Sequence, residues 1–337
     1  MTRDGPYLID WAITSKCNLS CRHCRGMSED ELSTAHAFHL VDEIAQLKPG
    51  WVIIEGGEPL LRDDIFQIFE RMHQQQISIH LITNSMLLNF EILSLLEKLA
   101  IKVMISIDGA TPGTYEAIRD GAEFATAVKW VRICAQKGLL EAINYAVLKR
   151  NYTEIPQIFE LAAQLKLPRI NFIGLKPCRQ YDEELLAPDE YGEAIRLACQ
   201  SSKETGVSFF FDEPFFWAVV KKNGLFASIS SDVAGILVPS TTACIFGEYL
   251  FIEPDGTAKP CSFSPMNLSN VKDKALVEIW NDVSNSDFFN KIKNPLTRSG
   301  KCLKCNYLLD CKGCRSRTYI LTGDWFASDP CCPLQNK

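Results

Sequence analysis

The sequence predicts an α/β protein in which parallel strands alternate with helices, followed by a smaller cysteine-rich domain. Apolar strand-like runs and helical patterns alternate six times between residue 7 and about residue 205, as in a parallel sheet covered by helices. Eight of the fourteen cysteines lie from Cys244 onward in the 337-residue chain. At roughly 150 residues per domain, this length suits about two domains.

The strand predictions come from short runs that are apolar on both faces, which is typical of strands buried on both sides of a sheet. They cover residues 7–13, 51–56, 77–83, 101–108, 142–148 and 169–175.

The segments between these runs have apolar residues at helical spacing. Between the first two strands the pattern consists of Phe38, Val41, Ile44 and Leu47, and Pro49-Gly50 ends it. After the second strand it consists of Ile65, Ile68, Phe69 and Met72. Further helices are predicted at 88–99, 123–137, 152–166 and 188–205. Periodicity does not distinguish an open doubly wound sheet from a full or partial barrel.

The alternation predicts three segments of chain. Residues 1–205 form the strand–helix domain, residues 206–243 a connector with some order of its own, and residues 244–337 a loop-rich domain held together by metal.

Composition excludes several classes of protein. The formal net charge is −6, which does not favour nucleic acid as a partner. The first twenty residues lack the apolar stretch of a secretory signal, and no apolar run is long enough for a membrane span. We therefore expect a cytoplasmic protein without a membrane partner, in which clustered cysteines are metal ligands or catalytic groups rather than disulfides.

Three cysteines follow the first predicted strand with the spacing Cys-x3-Cys-x2-Cys. They are Cys17, Cys21 and Cys24. Iron–sulfur clusters of the cubic type normally take four cysteines, so three thiolates would leave one iron open. The alternative is a zinc site completed by His23 or by a distant residue. The spacing favours the iron–sulfur cluster.

This cysteine motif, followed by "EGGEP" (55–59) after the second strand, resembles the radical S-adenosylmethionine (SAM) superfamily. The resemblance covers residues 7 to about 180 and implies a partial (β/α)6 barrel. In that family the open iron of a 4Fe-4S cluster binds SAM, whose reductive cleavage gives a 5′-deoxyadenosyl radical that abstracts hydrogen from the substrate.

The resemblance also implies a set of SAM-contacting residues at the ends of the strands, where barrel enzymes place their sites. Two glycines would allow close backbone approach, and a carboxylate would accept from the SAM ammonium group. The alternative for each position is an ordinary turn or core residue. The implied residues are Gly56, Gly57, Glu58, Asn84, Ser106, Arg119 and Leu175. The residue that carries the acid–base chemistry stays unknown.

The second cysteine cluster by itself suits an all-cysteine zinc site. Following a radical SAM barrel, it resembles a SPASM domain, which carries auxiliary 4Fe-4S clusters. The resemblance implies one cluster on Cys244, Cys261 and Cys314, with no evident fourth ligand. A second cluster would take Cys302, Cys305 and Cys311, completed by Cys332 or Cys331. One or two auxiliary clusters are therefore expected beside the SAM-binding one.

Two further features concern the residues around these cysteines. Basic residues are frequent there, and they either stabilise the anionic clusters or, in the case of Arg315 or Arg317, bind substrate carboxylates. The cysteines outside both clusters are expected to be buried free thiols. They are Cys134, Cys178 and Cys199.

The segment "GCRSRTYILTGDWFASDPCC" (313–332) resembles the tail of the haem and haem d1 biosynthesis radical enzymes and of tungsten-cofactor-associated proteins. This implies a tetrapyrrole-type cofactor precursor as substrate, or alternatively a peptide, and a reduced ferredoxin or flavodoxin as electron donor. The competing hypothesis is a zinc-stapled binding protein without catalytic activity.

Metal analysis of the anaerobically purified and reconstituted protein tests these alternatives. We expect roughly twelve irons per chain, as three four-iron clusters require. About eight irons would reduce the C-terminal domain to one cluster. Zinc with negligible iron would contradict the radical mechanism.

Overall fold

The computed structural model describes residues 5–177, 182–225 and 244–334. Ten strands in these residues form one sheet. The strand order is β12-β11-β10-β1-β3-β4-β5-β7-β8-β9. The eight strands from β10 to β9 in this order are parallel, and β11 and β12 are antiparallel additions at one edge. The strands are β1 (Ile9–Ala12), β3 (Val52–Glu55), β4 (Ile79–Thr83), β5 (Lys102–Ser106), β7 (Leu140–Val147), β8 (Arg169–Gly174), β9 (Ser208–Asp212), β10 (Leu250–Ile252), β11 (Thr257–Lys259) and β12 (Ser269–Asn270).

Helices connect these parallel strands. In α1 the side chain of Ser33 accepts a hydrogen bond from the His36 amide at the N-terminus, and in α3 Asn89 does the same for Ile92. The helices are α1 (Thr34–Leu47), α2 (Ile65–Gln74), α3 (Phe90–Lys98), α4 (Pro112–Ile118), α5 (Phe124–Gln136), α6 (Ile155–Gln164), α7 (Pro188–Thr205), α8 (Phe216–Asn223), α9 (Leu276–Asn285), α10 (Asp287–Lys293) and α11 (Arg315–Thr322).

The six predicted strands and the six predicted helices before residue 205 are all present, with ends shifted by a few residues. The fold class is therefore confirmed. The predicted connector begins with β9, whose Phe209 and Phe211 are buried, and with α8, so the alternation continues for one more unit. The rest of the predicted connector, 226–243, and Cys178 lie outside the described residues. Cys134 and Cys199 are buried free thiols, as expected.

Side chains on each strand alternate between two environments, because successive residues of a strand point to opposite faces. In β1, Ile9 and Trp11 pack in the main apolar core with residues of the covering helices, such as Val41 and Ile44. The residue between them, Asp10, faces the other side and lines a cavity. Inward positions of strands from β1 to β9 line this same cavity, so the sheet curves around it.

The C-terminal region joins this sheet directly. Its strand β10 pairs in parallel with β1, with Ile9 opposite Leu250 and Trp11 opposite Ile252. The two remaining strands of the region, β11 and β12, extend the sheet beyond β10. The cysteine-rich region is therefore not a separate appendage, because it supplies one edge of the barrel sheet.

A buried ion-pair network attaches the last helix to the barrel. Arg317 at the start of α11 is fully buried and donates to the carboxylates of Glu213, just after β9, and Asp329 in the tail. The buried guanidinium is not an isolated charge, because both carboxylates lie within hydrogen-bond distance of it. The network fixes α11 and the tail against the end of β9.

None of the helices within the described residues is long and apolar enough to cross a membrane.

The substitution Arg317→Met tests the Arg317 network. It would leave two buried carboxylates without their cation, so we expect a loss of about 3–5 kcal/mol in the free energy of unfolding. Thermal or denaturant unfolding of the anaerobic holoenzyme measures the loss. Arg196→Met is the matched control, because Arg196 pairs with Glu193 at the surface, and its effect should stay within about 1 kcal/mol. Equal effects of the two substitutions would contradict this account.

Candidate functional site

A cavity of about 740 Å³ lies at the carboxyl ends of the parallel strands, the position where barrel enzymes gather their functional residues. It contains nine of the residues that the sequence singled out: Cys17, Cys21, Cys24, Gly56, Gly57, Asn84, Ser106, Arg119 and Leu175. The structure thus brings together all of the predicted residues of the first cluster and of SAM binding except Glu58.

The three cysteines lie on the loop after β1. A short pairing fixes this loop, because Ser20–Cys21 (β2) is antiparallel to Arg119–Asp120 (β6). Nη1 of Arg119 lies 3.8 Å from Sγ of Cys21. Burial raises the pKa of the Cys21 thiol to about 11, and Arg119 opposes this rise. A bound metal is the ordinary means of keeping such a thiol deprotonated.

The two glycines hold the cysteine loop against the end of β3. The amide of Gly57 donates to Thr14 O at 2.8 Å, and the Glu58 amide donates to Lys16 O at 2.8 Å. A Cβ at Gly57 would lie 2.2 Å from Lys16 O. At Gly56, where φ is +146°, it would lie 2.3 Å from Thr14 O. Glycine is required at both positions because no side chain fits between the two segments.

Glu58 is fully buried and is not among the residues that line the cavity. Its carboxylate accepts hydrogen bonds from Thr83 Oγ1 at 2.9 Å and from the Asn84 amide at 2.8 Å. Burial raises the pKa of Glu58 to about 7, and these hydrogen bonds oppose the rise. In this structure Glu58 fixes the end of β4, and its contact with a SAM ammonium group stays a prediction.

Arg119 and Asn84 are each oriented by a neighbour. Nε of Arg119 donates to Asp108 Oδ2 at 2.6 Å, and Asp108 also accepts from the Ala146 amide at 2.7 Å. Nδ2 of Asn84 donates to Asn18 Oδ1 at 2.8 Å in the cysteine loop. Both side chains are therefore held in place before any ligand binds.

Sequence reasoning missed a polar cluster on the β1 side of the cavity. The Arg25 guanidinium forms an ion pair with Glu55 and lies 4.7 Å from the ring centroid of Phe251. Burial and the neighbouring Glu55 hold the pKa of Asp10 well above its usual range. The only signal in the sequence was the alternation of β1 and β3, which places Asp10 and Glu55 on the inward face.

Aromatic side chains of β9 and of the C-terminal region also line the cavity. Phe210 of β9 lines it together with Tyr249, Ser262 and Phe263 of the C-terminal region. The C-terminal region therefore forms a wall of the same cavity that contains the first cysteine cluster.

The C-terminal cysteines separate into two groups. In the first group, Cys244 interacts electrostatically with Cys261 and Cys314. The hydroxyl of Tyr249 donates to the Cys261 thiol and accepts from the Ser262 amide at 3.0 Å. This group lies directly behind this wall of the cavity, because Tyr249 lines the cavity and also contacts Cys261.

The second group consists of Cys302, Cys305, Cys311 and Cys332. Cys311 interacts electrostatically with Cys302 and Cys332, and Cys332 interacts with Cys302 and Cys305. The prediction left the fourth member open between Cys332 and Cys331. Cys332 joins the group, whereas Cys331 interacts with Arg317, Asp329 and Glu213.

Arg315 and Arg317 do not line the cavity, so the interpretation that they bind substrate carboxylates is wrong. Both are buried and directed into the protein: Nη1 of Arg315 donates to the backbone oxygens of Trp325 and Ala327, and Arg317 pairs with Glu213 and Asp329.

The residues fit the cofactors that the motifs imply. Three thiols line one end of the cavity, and the glycine contacts position their loop. Three buried polar atoms of cavity-lining residues have no hydrogen-bond partner within the described part of the chain, as expected beside a polar ligand: Asp10 Oδ1, His23 Nδ1 and Arg25 Nε. Among the described residues, no three His, Cys, Asp or Glu side chains converge on one point as a single metal ion requires.

Comparison with known proteins agrees with this geometry. Residues 11–162 match the model of the radical SAM superfamily, and residues 244–314 match SPASM, an iron–sulfur cluster-binding domain. The AdoMet-dependent heme synthase of Methanosarcina barkeri is 31% identical over 98% of this chain and 97% of its own length. The chain belongs to the radical SAM superfamily. It is an enzyme whose cofactors are 4Fe-4S clusters and SAM.

Two other curated relatives of this radical SAM enzyme span most of the chain. The Fe-coproporphyrin III synthase of Methanosarcina barkeri is 24% identical over all of this chain and 90% of its own length. Mycofactocin maturase MftC of Mycobacterium tuberculosis is 26% identical over 95% of this chain and 81% of its own length.

Solved structures show the same fold. Streptococcus suis SuiB bound to its precursor peptide SuiA has a TM-score of 0.76 at 16% identity, covering 98% of this chain and 76% of SuiB.

Gly57→Ala tests the role of the glycine contact. The added methyl group would collide with Lys16 O, so we expect the cysteine loop to move, with loss of roughly four irons per chain and of SAM binding. Iron analysis and calorimetric titration with SAM measure both. Gly113→Ala is the matched control, since no atom lies within 4 Å of a Cβ at that position. Full iron content and SAM affinity in Gly57→Ala would contradict the proposed role.

Proposed function

We propose that this radical SAM enzyme removes carboxyl groups from the propionate side chains of an iron porphyrin. The observation that carries the proposal is the 31% identity to an AdoMet-dependent heme synthase over nearly the whole of both chains. A porphyrin with four propionates, such as Fe-coproporphyrin III, becomes haem when two propionates become vinyl groups. Each of the two propionates loses one hydrogen atom to the 5′-deoxyadenosyl radical and one CO2. The electron that the substrate releases in this step balances the electron consumed when SAM is cleaved.

We assign the cofactor sites from the motifs and from the residues that the structure groups together. Glu58, which lies outside the cavity lining, is assigned from the motif alone. Cys17, Cys21 and Cys24 would hold the SAM-binding cluster, which with SAM supplies the 5′-deoxyadenosyl radical. Gly56, Gly57, Glu58, Asn84, Ser106, Arg119 and Leu175 would form the SAM site. Cys244, Cys261 and Cys314 would hold one auxiliary cluster, and Cys302, Cys305, Cys311 and Cys332 the other.

The rest of the cavity would receive the porphyrin. Phe210, Tyr249 and Phe263 offer aromatic surface to a flat macrocycle. Arg25 is a cavity-lining cation 6.0 Å from the ring centroid of Phe263, and its Nε has no hydrogen-bond partner within the described part of the chain. We propose that it faces a propionate, because an arginine donates to carboxylates in a fixed geometry. The domain limits 1–205, 206–243 and 244–337, a cytoplasmic location and an external electron donor are part of the same proposal.

The test is an anaerobic assay of the reconstituted enzyme with SAM, dithionite and Fe-coproporphyrin III. We expect 5′-deoxyadenosine and porphyrins with one and then two vinyl groups, identified by mass spectrometry. Cys21→Ala should abolish both products. Cys134→Ala, which removes a buried thiol remote from the cavity, should keep them.

If the porphyrin neither changes nor accelerates formation of 5′-deoxyadenosine, the porphyrin proposal fails. A peptide substrate, as the similarity to a mycofactocin maturase suggests, would then be preferred.

A further inference from the structure

The second cysteine group lies beneath an exposed surface with an unusual composition. Seven large apolar side chains are exposed within the described residues, and five of them lie between positions 296 and 321. Three are leucines on short helical turns, and the turn of Leu309 contacts the other two: Leu296, Leu303 and Leu309, exposed by 66%, 57% and 64%. We call these leucines, with Lys301 and Lys304, the leucine–lysine surface.

The two lysines make this surface locally positive. Lys301 and Lys304 are exposed and flank Leu303, and neither forms an ion pair within the described residues. The adjacent acid, Asp310, is already paired with Lys221. The chain as a whole has a net charge of −6, so this positive charge is a local feature. Compensation of the negative charge of a cluster would explain the lysines alone. It does not explain the three exposed leucines beside them.

The turn Gly300–Lys304 carries both Lys301 and Leu303 on either side of Cys302, so the surface and the second cysteine group share the same backbone. The first group lies on the cavity side, behind the wall that Tyr249 and Ser262 form. Arg298, which is buried, interacts electrostatically with Cys244 of the first group and with Cys302 and Cys311 of the second. The order from inside to outside is therefore cavity, first group, second group and leucine–lysine surface.

We propose that the leucine–lysine surface is the docking site of a small acidic redox protein of the ferredoxin type, which delivers electrons to the cluster of the Cys302 group. This rests on the auxiliary cluster assigned to that group. In each encounter one electron leaves the reduced iron–sulfur centre of the partner and enters this cluster, and no atom is transferred. Exposed leucines give a short-lived apolar contact, and lysines attract acidic side chains. Interfaces of redox partners are small, below about 1,200 Å², which suits a surface made of five side chains.

The experiment follows the reduction of the reconstituted holoenzyme by reduced plant-type [2Fe–2S] ferredoxin, an acidic protein, in an anaerobic stopped-flow instrument. The double variant Lys301→Glu/Lys304→Glu should be reduced about tenfold or more slowly at low ionic strength, and should lose most of the salt dependence, because electrostatic steering changes association rates by this amount. Lys98→Glu/Lys203→Glu is the matched control. It makes the same change of charge at exposed lysines of α3 and α7 and should react at the wild-type rate.

A second variant, Leu303→Ser/Leu309→Ser, removes the apolar contact without changing charge and should also slow the reaction. Carbodiimide cross-linking followed by mass spectrometry should join Lys301 or Lys304 to ferredoxin carboxylates. Equal rates for wild type, both surface variants and the control would overturn the docking proposal.

Iron content and reduction by dithionite separate this result from a failure of the cluster assignment. Dithionite needs no docking surface, so normal dithionite reduction with slow ferredoxin reduction supports docking. A wild-type protein without iron on the Cys302 group would refute both the assignment and the docking site.

Discussion

The backbone contact between the end of β3 and the loop after β1 is the constraint on which the site depends. Gly57 and Glu58 donate to the carbonyls of Thr14 and Lys16, and no side chain fits between these segments. The cysteine loop is thereby fixed relative to the carboxyl ends of the strands. Because the three thiols are positioned by backbone hydrogen bonds, their arrangement is set by the barrel and not by the loop sequence alone.

The same dependence extends to the C-terminal region. Pairing of β10 with β1 places Tyr249 and Phe251 on the inward face beside Arg25 and Asp10. The Arg317 network then attaches α11 and the tail to the end of β9. Both ends of the curved sheet are thus held by the cysteine-rich region, which makes it part of the substrate cavity and not only a carrier of clusters.

The strand and helix positions before residue 205 followed from periodicity, since buried parallel strands and amphipathic helices have distinct patterns. The motifs also located most of the cavity residues. What could not be predicted depends on tertiary pairing: β9 inside the expected connector, the Arg25–Glu55–Asp10 cluster, and the position of Cys332 beside Cys302 and Cys305. Arg317 shows the same difficulty, because a basic residue near cysteines has the same sequence signature whether it faces a substrate or a buried carboxylate.

Position relative to the cavity distinguishes the two C-terminal cysteine groups in a way that their spacing does not. Cys314 is 6% exposed, and its group shares Tyr249 and its neighbour Ser262 with the wall of the cavity. Cys302 and Cys305 are partly exposed, between side chains that face solvent. A cluster on the inner group would therefore lie against the cavity, and one on the outer group beneath the exposed turns. Hydrogen bonds to sulfur are among the factors that set the potential of an iron–sulfur cluster. The hydrogen bond between Tyr249 and Cys261 would thus help to set the potential of the inner cluster.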